Sequence, residues 1–260
     1  MFAGDTLKGR VALITGGGGG IGLEIARKYG QMGAKIVITG RSQERLDGAV
    51  AQMRAESTDV LALQGDVRDY ATVESWIAGT VGHFGALDIL VNNAAGNFFC
   101  PTAQLSPNGW KSVIDIDLNG TFYCCRAAYP ALKQSAFGGS IISIITMLAI
   151  TGWPGAAHAG AAKAGVLSLS RALAVEWGPD NIRVNTISPG PIEDTVGVAR
   201  LYEETGRSEL EKKKTILGRF GKKADIANAA VYLASDLGSY MTGENMVVDG
   251  GRWLKYVAAS

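Results

Sequence analysis

Short runs of apolar residues recur along the chain, and each gives way to a longer segment with helical spacing. Val11-Ala12-Leu13-Ile14 stops at a glycine cluster, Gly16 to Gly20, and Ile21, Ile25, Ala26 and Tyr29 then mark one face of a helix that ends near Gly33. Lys35-Ile36-Val37-Ile38-Thr39 is the next strand-like run, and others lie at 59–64, 87–91, 139–145, 182–187 and 245–248. Helix-like segments fall between them, near 43–55, 69–83, 107–134, 157–177 and 224–234. Near-continuous apolar strands alternating with helices predict a mainly parallel sheet of about seven strands, covered by helices on both faces. No Pro/Gly/Ser-rich linker divides residues 1–260 and no internal repeat is present, so a single doubly wound α/β domain is expected. The stretch 193–221 is polar and charged with few strand signals, and reads as a substrate lid between the sixth strand and the helix near 224.

The glycine cluster brings in the first chemistry. Thr15-Gly16-Gly17-Gly18-Gly19-Gly20-Ile21-Gly22 joins a strand to a helix start. Glycines there let the backbone turn tightly and approach a pyrophosphate, which the free N–H groups of the helix N-terminus can face. A flexible turn is the alternative, and the strand before and helix after favour a Rossmann-type dinucleotide site. The second strand ends in Thr39-Gly40-Arg41-Ser42. No acid stands there for a ribose 2′-hydroxyl, whereas Arg41 can pair with a 2′-phosphate, so NADPH (NADP+) is the expected cofactor over a merely solvated arginine. Asp66-Val67 follows the third strand and is read either as an adenine contact or as a simple turn.

Composition narrows the classes. The formal net charge is +1 and the densest basic run is Lys212-Lys213-Lys214, which excludes a nucleic-acid footprint and fits a solvated helix face. The three cysteines, Cys100, Cys124 and Cys125, include no C-x-x-C pair, so reduced buried thiols and no metal site are expected. Met1 to Asp5 lacks a charged region leading into an apolar one, the run Ile141 to Ile150 is too short to span a bilayer, and Val257-Ala258-Ala259-Ser260 is not a peroxisomal tripeptide. A cytoplasmic protein with no membrane insertion is the expectation.

Thr15-Gly16…Gly20-Ile21-Gly22, Asp66, Asn92-Asn93-Ala94-Ala95-Gly96, Lys163, Pro189-Gly190 and Tyr240-Met241-Thr242-Gly243 through Asp249-Gly250-Gly251 together resemble the short-chain dehydrogenase/reductase family over almost the whole chain. The family places a catalytic Tyr-x-x-x-Lys on a helix. Here the same stretch reads Ala159-Gly160-Ala161-Ala162-Lys163: the lysine is present and the tyrosine is not. With Asn93-Ala94-Ala95-Gly96-Asn97-Phe98, with Asp117 where most relatives carry asparagine, and with Pro189-Gly190-Pro191-Ile192 leading to Thr195, the chain looks like the NADPH-dependent 2,4-dienoyl-CoA reductases of peroxisomal and bacterial type.

That resemblance implies reduction of a conjugated enoyl thioester in unsaturated fatty-acid β-oxidation. It implies that Lys163 holds the nicotinamide ribose, that Asn93 lines the cofactor cleft, and that Pro189, Gly190, Ile192 and Thr195 meet the carboxamide. Asn97, Phe98 and Phe99 would line the acyl-thioester channel, with core packing as the alternative for the phenylalanines, and Arg68 and Arg200 would reach CoA phosphates. A homotetramer built through the helices near 157–177 and 110–134 is implied as well.

Three candidate side chains stay open at this stage. Asp117 could pair with Lys163 through water, stay protonated and donate, or form a buried structural ion pair. Thr146 stands in place of the usual catalytic serine, or packs as a β-branched strand residue. His158 could relay a proton, although helix geometry turns it away from the direction of residue 159; His83 reads as a cap or surface residue.

Carbonyl reduction wants an acid beside the oxygen, the usual role of the tyrosine. Dienoyl-thioester reduction sends negative charge to a thioester oxygen and needs oriented donors there, while water can deliver the carbon-bound proton. The competing expectations are a 3-oxoacyl-thioester reductase, which the absent tyrosine disfavours, and a catalytically silent NADP(H)-binding protein.

Overall fold

The computed structural model describes residues 3–199, 204, 206 and 208–258. Seven strands, β1 (Val11–Thr15), β2 (Lys35–Gly40), β3 (Val60–Gln64), β4 (Ile89–Asn92), β5 (Gly139–Ile144), β6 (Ile182–Pro189) and β7 (Asn245–Val248), form one sheet in the order β3-β2-β1-β4-β5-β6-β7. Every neighbouring pair is parallel. The chain reverses its direction of winding between β1 and β4, and the carboxyl ends of those strands open the crevice in which such sheets bind ligands.

Alternation along each strand divides the core in two. Ala12 and Ile14 of β1 join Ile36, Ile38, Ile142 and Ile187 on one face, beneath α1 (Gly20–Gln31), α2 (Gln43–Ala55) and α9 (Lys223–Ala234). Leu13, Val37, Leu90 and Val184 face the other way, beneath α3 (Tyr70–Phe84), α5 (Gly120–Leu132) and α6 (Ala157–Trp177). Burial of both faces explains why the strands read as continuous apolar runs. Tyr29 ties α1 to α9 by donating from its hydroxyl to Ala230 O at 2.9 Å.

The expected helix over 107–134 is broken. α4 (Pro107–Ile114) starts under Ser106, whose hydroxyl accepts from Gly109 N at 3.0 Å, and is followed by a π-helical turn, Asp115–Asn119, before α5 begins. Apolar spacing does not distinguish this extra residue per turn from a continuous helix. Its consequence is specific: Asp117 is turned fully inward, with 1% of its surface exposed. π-turns of this kind concentrate at functional sites.

Within 193–221 the described residues form a short turn, α7 (Val196–Val198), and α8 (Ser208–Lys213), and Ile192 pairs in parallel with Gly221. Arg200 lies outside the described residues. The last helix is α10 (Arg252–Ala258). No described helix is long and apolar enough to cross a membrane.

Candidate active site

The glycine turn is built from backbone conformation. Gly16 and Gly20 take φ of +66° and +57°, which side-chain-bearing residues rarely adopt. At Gly22 a Cβ would fall 2.4 Å from Asn93 Nδ2 and 2.6 Å from Gly16 O, so the first turn of α1 lies directly on the β4 loop. Asn93 Nδ2 donates to Thr15 O at 3.0 Å and to Gly16 O at 3.3 Å, and Thr15 Oγ1 accepts from the backbone N of Asn93 and of Ala94, both at 3.0 Å. These bonds stitch the ends of β1 and β4 together at the crevice. No side chain caps α1, which leaves its first N–H groups toward the cavity.

That cavity is lined by Gly16, Gly18, Gly20 and Ile21 from the turn, by Arg41 and Ser42 beyond β2, and by Asp66, Val67 and Asn93. Ser42 also caps α2, accepting from Arg45 N at 3.3 Å. Arg41 makes no ion pair among the described residues. Arg45, in the first turn of α2, lines the same cavity; the sequence reading passed over it, since Arg41 precedes the helix and no motif links the two. The positive-φ glycines, the uncapped helix and the exposed arginine fit a phosphate-bearing dinucleotide.

Arg68 is placed differently from the expectation that it would reach a CoA phosphate. It folds back on Asp66 as a two-pronged pair, Nε to Oδ1 at 3.0 Å and Nη2 to Oδ2 at 2.6 Å. The guanidinium beside it holds the Asp66 carboxyl below the usual carboxylate range. The contact is local, because a single residue, Val67, separates the partners.

The centre of the site is a buried ion pair. Lys163 Nζ lies 3.1 Å from Asp117 Oδ2 and donates to Ile144 O at 3.1 Å. The other oxygen, Oδ1, accepts from Gly96 N at 2.8 Å. Lys163 is 6% exposed. Of the readings open for Asp117, the geometry gives a direct ion pair without an intervening water: Oδ2 faces the ammonium while Oδ1 accepts from Gly96 N. The carboxylate therefore also anchors the Asn-Ala-Ala-Gly loop. Lys163 also lines the cavity, so its ammonium, held by Ile144 O and paired with the Asp117 carboxylate, borders that space. Ala159, in the place of the family tyrosine, is buried in an apolar cluster with Val113 and Ala162.

A second cavity continues from Asn93 and Ile21 past Lys163 toward β7. Asn97, Phe99, Thr146, Met147, Leu148, Pro189, Gly190, Ile192 and Thr195 line it. Thr146 lies beyond the end of β5, not within a strand, and its Oγ1 accepts from Leu148 N at 3.1 Å, capping a short 3₁₀ turn. Thr195 Oγ1 donates to Ile192 O at 2.7 Å.

Phe98 does not reach this cavity. It turns toward α4 and packs against His158, with ring centroids 4.5 Å apart and the rings tilted at 44°. His158 is fully buried, borders neither cavity, and has no hydrogen-bond partner for either ring nitrogen among the described residues. Trp153, Asp249 and Arg252 also line the second cavity. Asp249 belongs to the Asp249-Gly250-Gly251 motif read above but was given no site role, and Trp153 and Arg252, a loop residue and the first residue of α10, were missed because no local motif marks them.

No group of residues with metal-ligating chemistry occurs among the described residues. Residues 17–252 match the family model described as enoyl-(acyl carrier protein) reductase. The chain is 47% identical to peroxisomal 2,4-dienoyl-CoA reductase of Arabidopsis thaliana, covering 97% of this chain and 87% of that protein. It is 42% identical to a probable 2,4-dienoyl-CoA reductase of Bacillus subtilis, covering 94% and 97%. A crystal structure of a short chain dehydrogenase from Bacillus anthracis superposes with a TM-score of 0.86 at 42% identity, covering 95% of this chain and 98% of that one. The glycine turn, the Asn93 stitch and the buried lysine thus recur in a chain related along nearly its full length to these enzymes, and the protein belongs to the short-chain dehydrogenase/reductase family of oxidoreductases.

Proposed function

We propose that the protein reduces a 2,4-dienoyl-CoA to a 3-enoyl-CoA with NADPH. The observation that carries this reading is the Lys163–Asp117 pair beside Ala159: a buried cation faces the cavity, and no hydroxyl acid stands where carbonyl reduction needs one. The names of the relatives from Arabidopsis thaliana and Bacillus subtilis support the same substrate class.

NADPH, when bound, supplies a hydride, and Gly16, Gly18, Gly20, Asn93 and Lys163 are the residues that would hold it, with Arg41 and Ser42 at the 2′-phosphate. Hydride addition at C5 of the dienoyl thioester moves the conjugated electrons onto the thioester oxygen. The ammonium of Lys163 stabilises that charge in a site of low water access, and Thr146 is placed to orient the oxygen. Asp117 keeps the lysine aimed, so it is a positioning residue. Water then protonates C2, leaving the double bond at C3. One hydride and one proton are added in all, two electrons and two hydrogens, and no tyrosine is required.

Phe122 and Val175 stand exposed on α5 and α6, which supports the homotetramer that the family resemblance implies. A cytoplasmic location fits the reduced cysteines.

The test is loss of nicotinamide absorbance with 2,4-hexadienoyl-CoA, run beside NADH and beside acetoacetyl-CoA. NADPH-specific turnover of the dienoyl thioester alone, with a 3-enoyl product, is expected. Turnover of acetoacetyl-CoA instead would favour the 3-oxoacyl reductase, and tight NADPH binding without turnover of either thioester would leave a different substrate or a silent binder.

A further inference from the structure

The second cavity extends along the carboxyl edge of the sheet from β4 to the residues following β7, the edge strand farthest from the nucleotide half. Trp153 and Arg252 stand at that distal end. The Arg252 guanidinium lies over the indole of Trp153, 5.4 Å from its ring centroid. It is itself pinned: Nη2 meets Glu211 Oε2 at 2.5 Å and Nη1 donates to Glu211 O at 3.4 Å. Arg252 and Glu211 are both nearly buried, at 5% and 4% exposure. Asp249 locks the turn before α10, with its carboxylate accepting from Gly251 N and Trp253 N, each at 2.8 Å.

A guanidinium so committed is a poor receptor for a CoA phosphate. Its flat face and its pair with Glu211 instead make it a buttress that holds the indole in one place. Between this wall and Lys163 the cavity presents Met147, Leu148, Pro191 and Val198, which suit a hydrocarbon tail and not a polyanion. We infer that Trp153, held by Arg252 and Glu211, is the distal wall that sets the length of acyl chain the enzyme accepts. The inference rests on the proposed dienoyl-thioester reading and adds its specificity determinant.

The experiment compares kcat/KM for 2,4-hexadienoyl-CoA and 2,4-decadienoyl-CoA in the wild type, W153A, W153F and E211Q. Removing a fixed wall from a hydrophobic pocket should raise the decadienoyl-to-hexadienoyl ratio by about tenfold in W153A, through a lower KM for the longer chain. W153F keeps a flat ring and should stay near the wild type, and E211Q, which frees the guanidinium but leaves the indole, should move the ratio the same way by less. An unchanged ratio in W153A overturns the inference; if W153A fails to fold, W153L replaces it on the same criterion. If the wild type reduces neither substrate, the proposed reaction has failed independently. The wall is then tested by dissociation constants of hexanoyl-CoA and decanoyl-CoA in the presence of NADP+, where the same shift in W153A is expected and none overturns it.

Discussion

The nucleotide half and the acyl half of the crevice are built by different means. Around β1 and β4 the shape is made by backbone: positive φ at Gly16 and Gly20, the contact of Gly22 with Asn93 and Gly16, and the bonds between Thr15 and the Asn93 loop. Around β5 to β7 it is made by side-chain pairs that cross long stretches of chain, Lys163 with Asp117 and Arg252 with Glu211. A backbone-built site excludes almost any added atom and serves one constant ligand fragment. A site walled by side chains can be retuned one residue at a time.

The sharpest break in that contrast comes at the buried pair. Lys163→Ala should lower turnover by about a hundred- to a thousandfold, on the scale of losing an oriented oxyanion donor. It should also destabilise the protein by about 3–5 kcal/mol in urea titrations, because Asp117 is left as an uncompensated buried charge. Joining Lys163→Met to Asp117→Asn should recover most of the stability and none of the turnover. Wild-type stability in the single variant would mean that the pair carries no structural weight.

In the nucleotide half, Gly22→Ala is the corresponding probe. The new methyl meets Asn93 Nδ2 and a backbone oxygen, and forcing them apart should cost about 1–3 kcal/mol, read as a fall in the thermal midpoint, together with weaker NADPH binding. Tolerance of alanine there would erase the distinction between the two halves.

Arg41→Ala is gentler, since the side chain is exposed and makes no ion pair among the described residues. NADPH affinity should fall about 10- to 100-fold, the worth of one or two charge-assisted bonds, with NADH affinity unaffected. Equal losses for both cofactors in fluorescence titrations would remove the 2′-phosphate contact.

The smallest effect is a pH dependence in the acyl half. Burial pushes the Glu211 carboxyl up, and the hydrogen bonds from Lys214 and Arg252 outweigh it, leaving it below the usual carboxylate range. A depressed folded value means that this stabilisation is fully present above the unfolded carboxylate pKa of about 4.3 and is lost as pH falls through the folded one. Glu211→Gln should therefore flatten the acid limb of the stability curve, and an unaltered limb would show that the tie between α8 and α10 contributes nothing.

Most of the nucleotide half was readable before any coordinates. Its residues lie in short contiguous segments, and glycine at a turn between strand and helix has few other uses. The acyl half was readable only in part. Asn97, Phe99 and Thr146 lie on the cavity, but Phe98, between the first two in sequence, points the other way and meets His158, an alternation that no strand pattern in this loop announced. Trp153 and Arg252 are nearly 100 residues apart and carry no shared motif, so their contact was invisible.

The sequence by itself determined the alternation of strands and helices, the place of the phosphate turn and the loss of the tyrosine, since periodicity, glycine and residue identity are local properties of the chain. Only the tertiary structure decided that Asp117 pairs directly with Lys163, through a π-turn that apolar spacing does not reveal, and that Arg252 buttresses Trp153 from a helix beyond the last strand. Those pairings depend on which segments the parallel sheet brings to its carboxyl edge, and on the need of each buried charge for a partner once it arrives there.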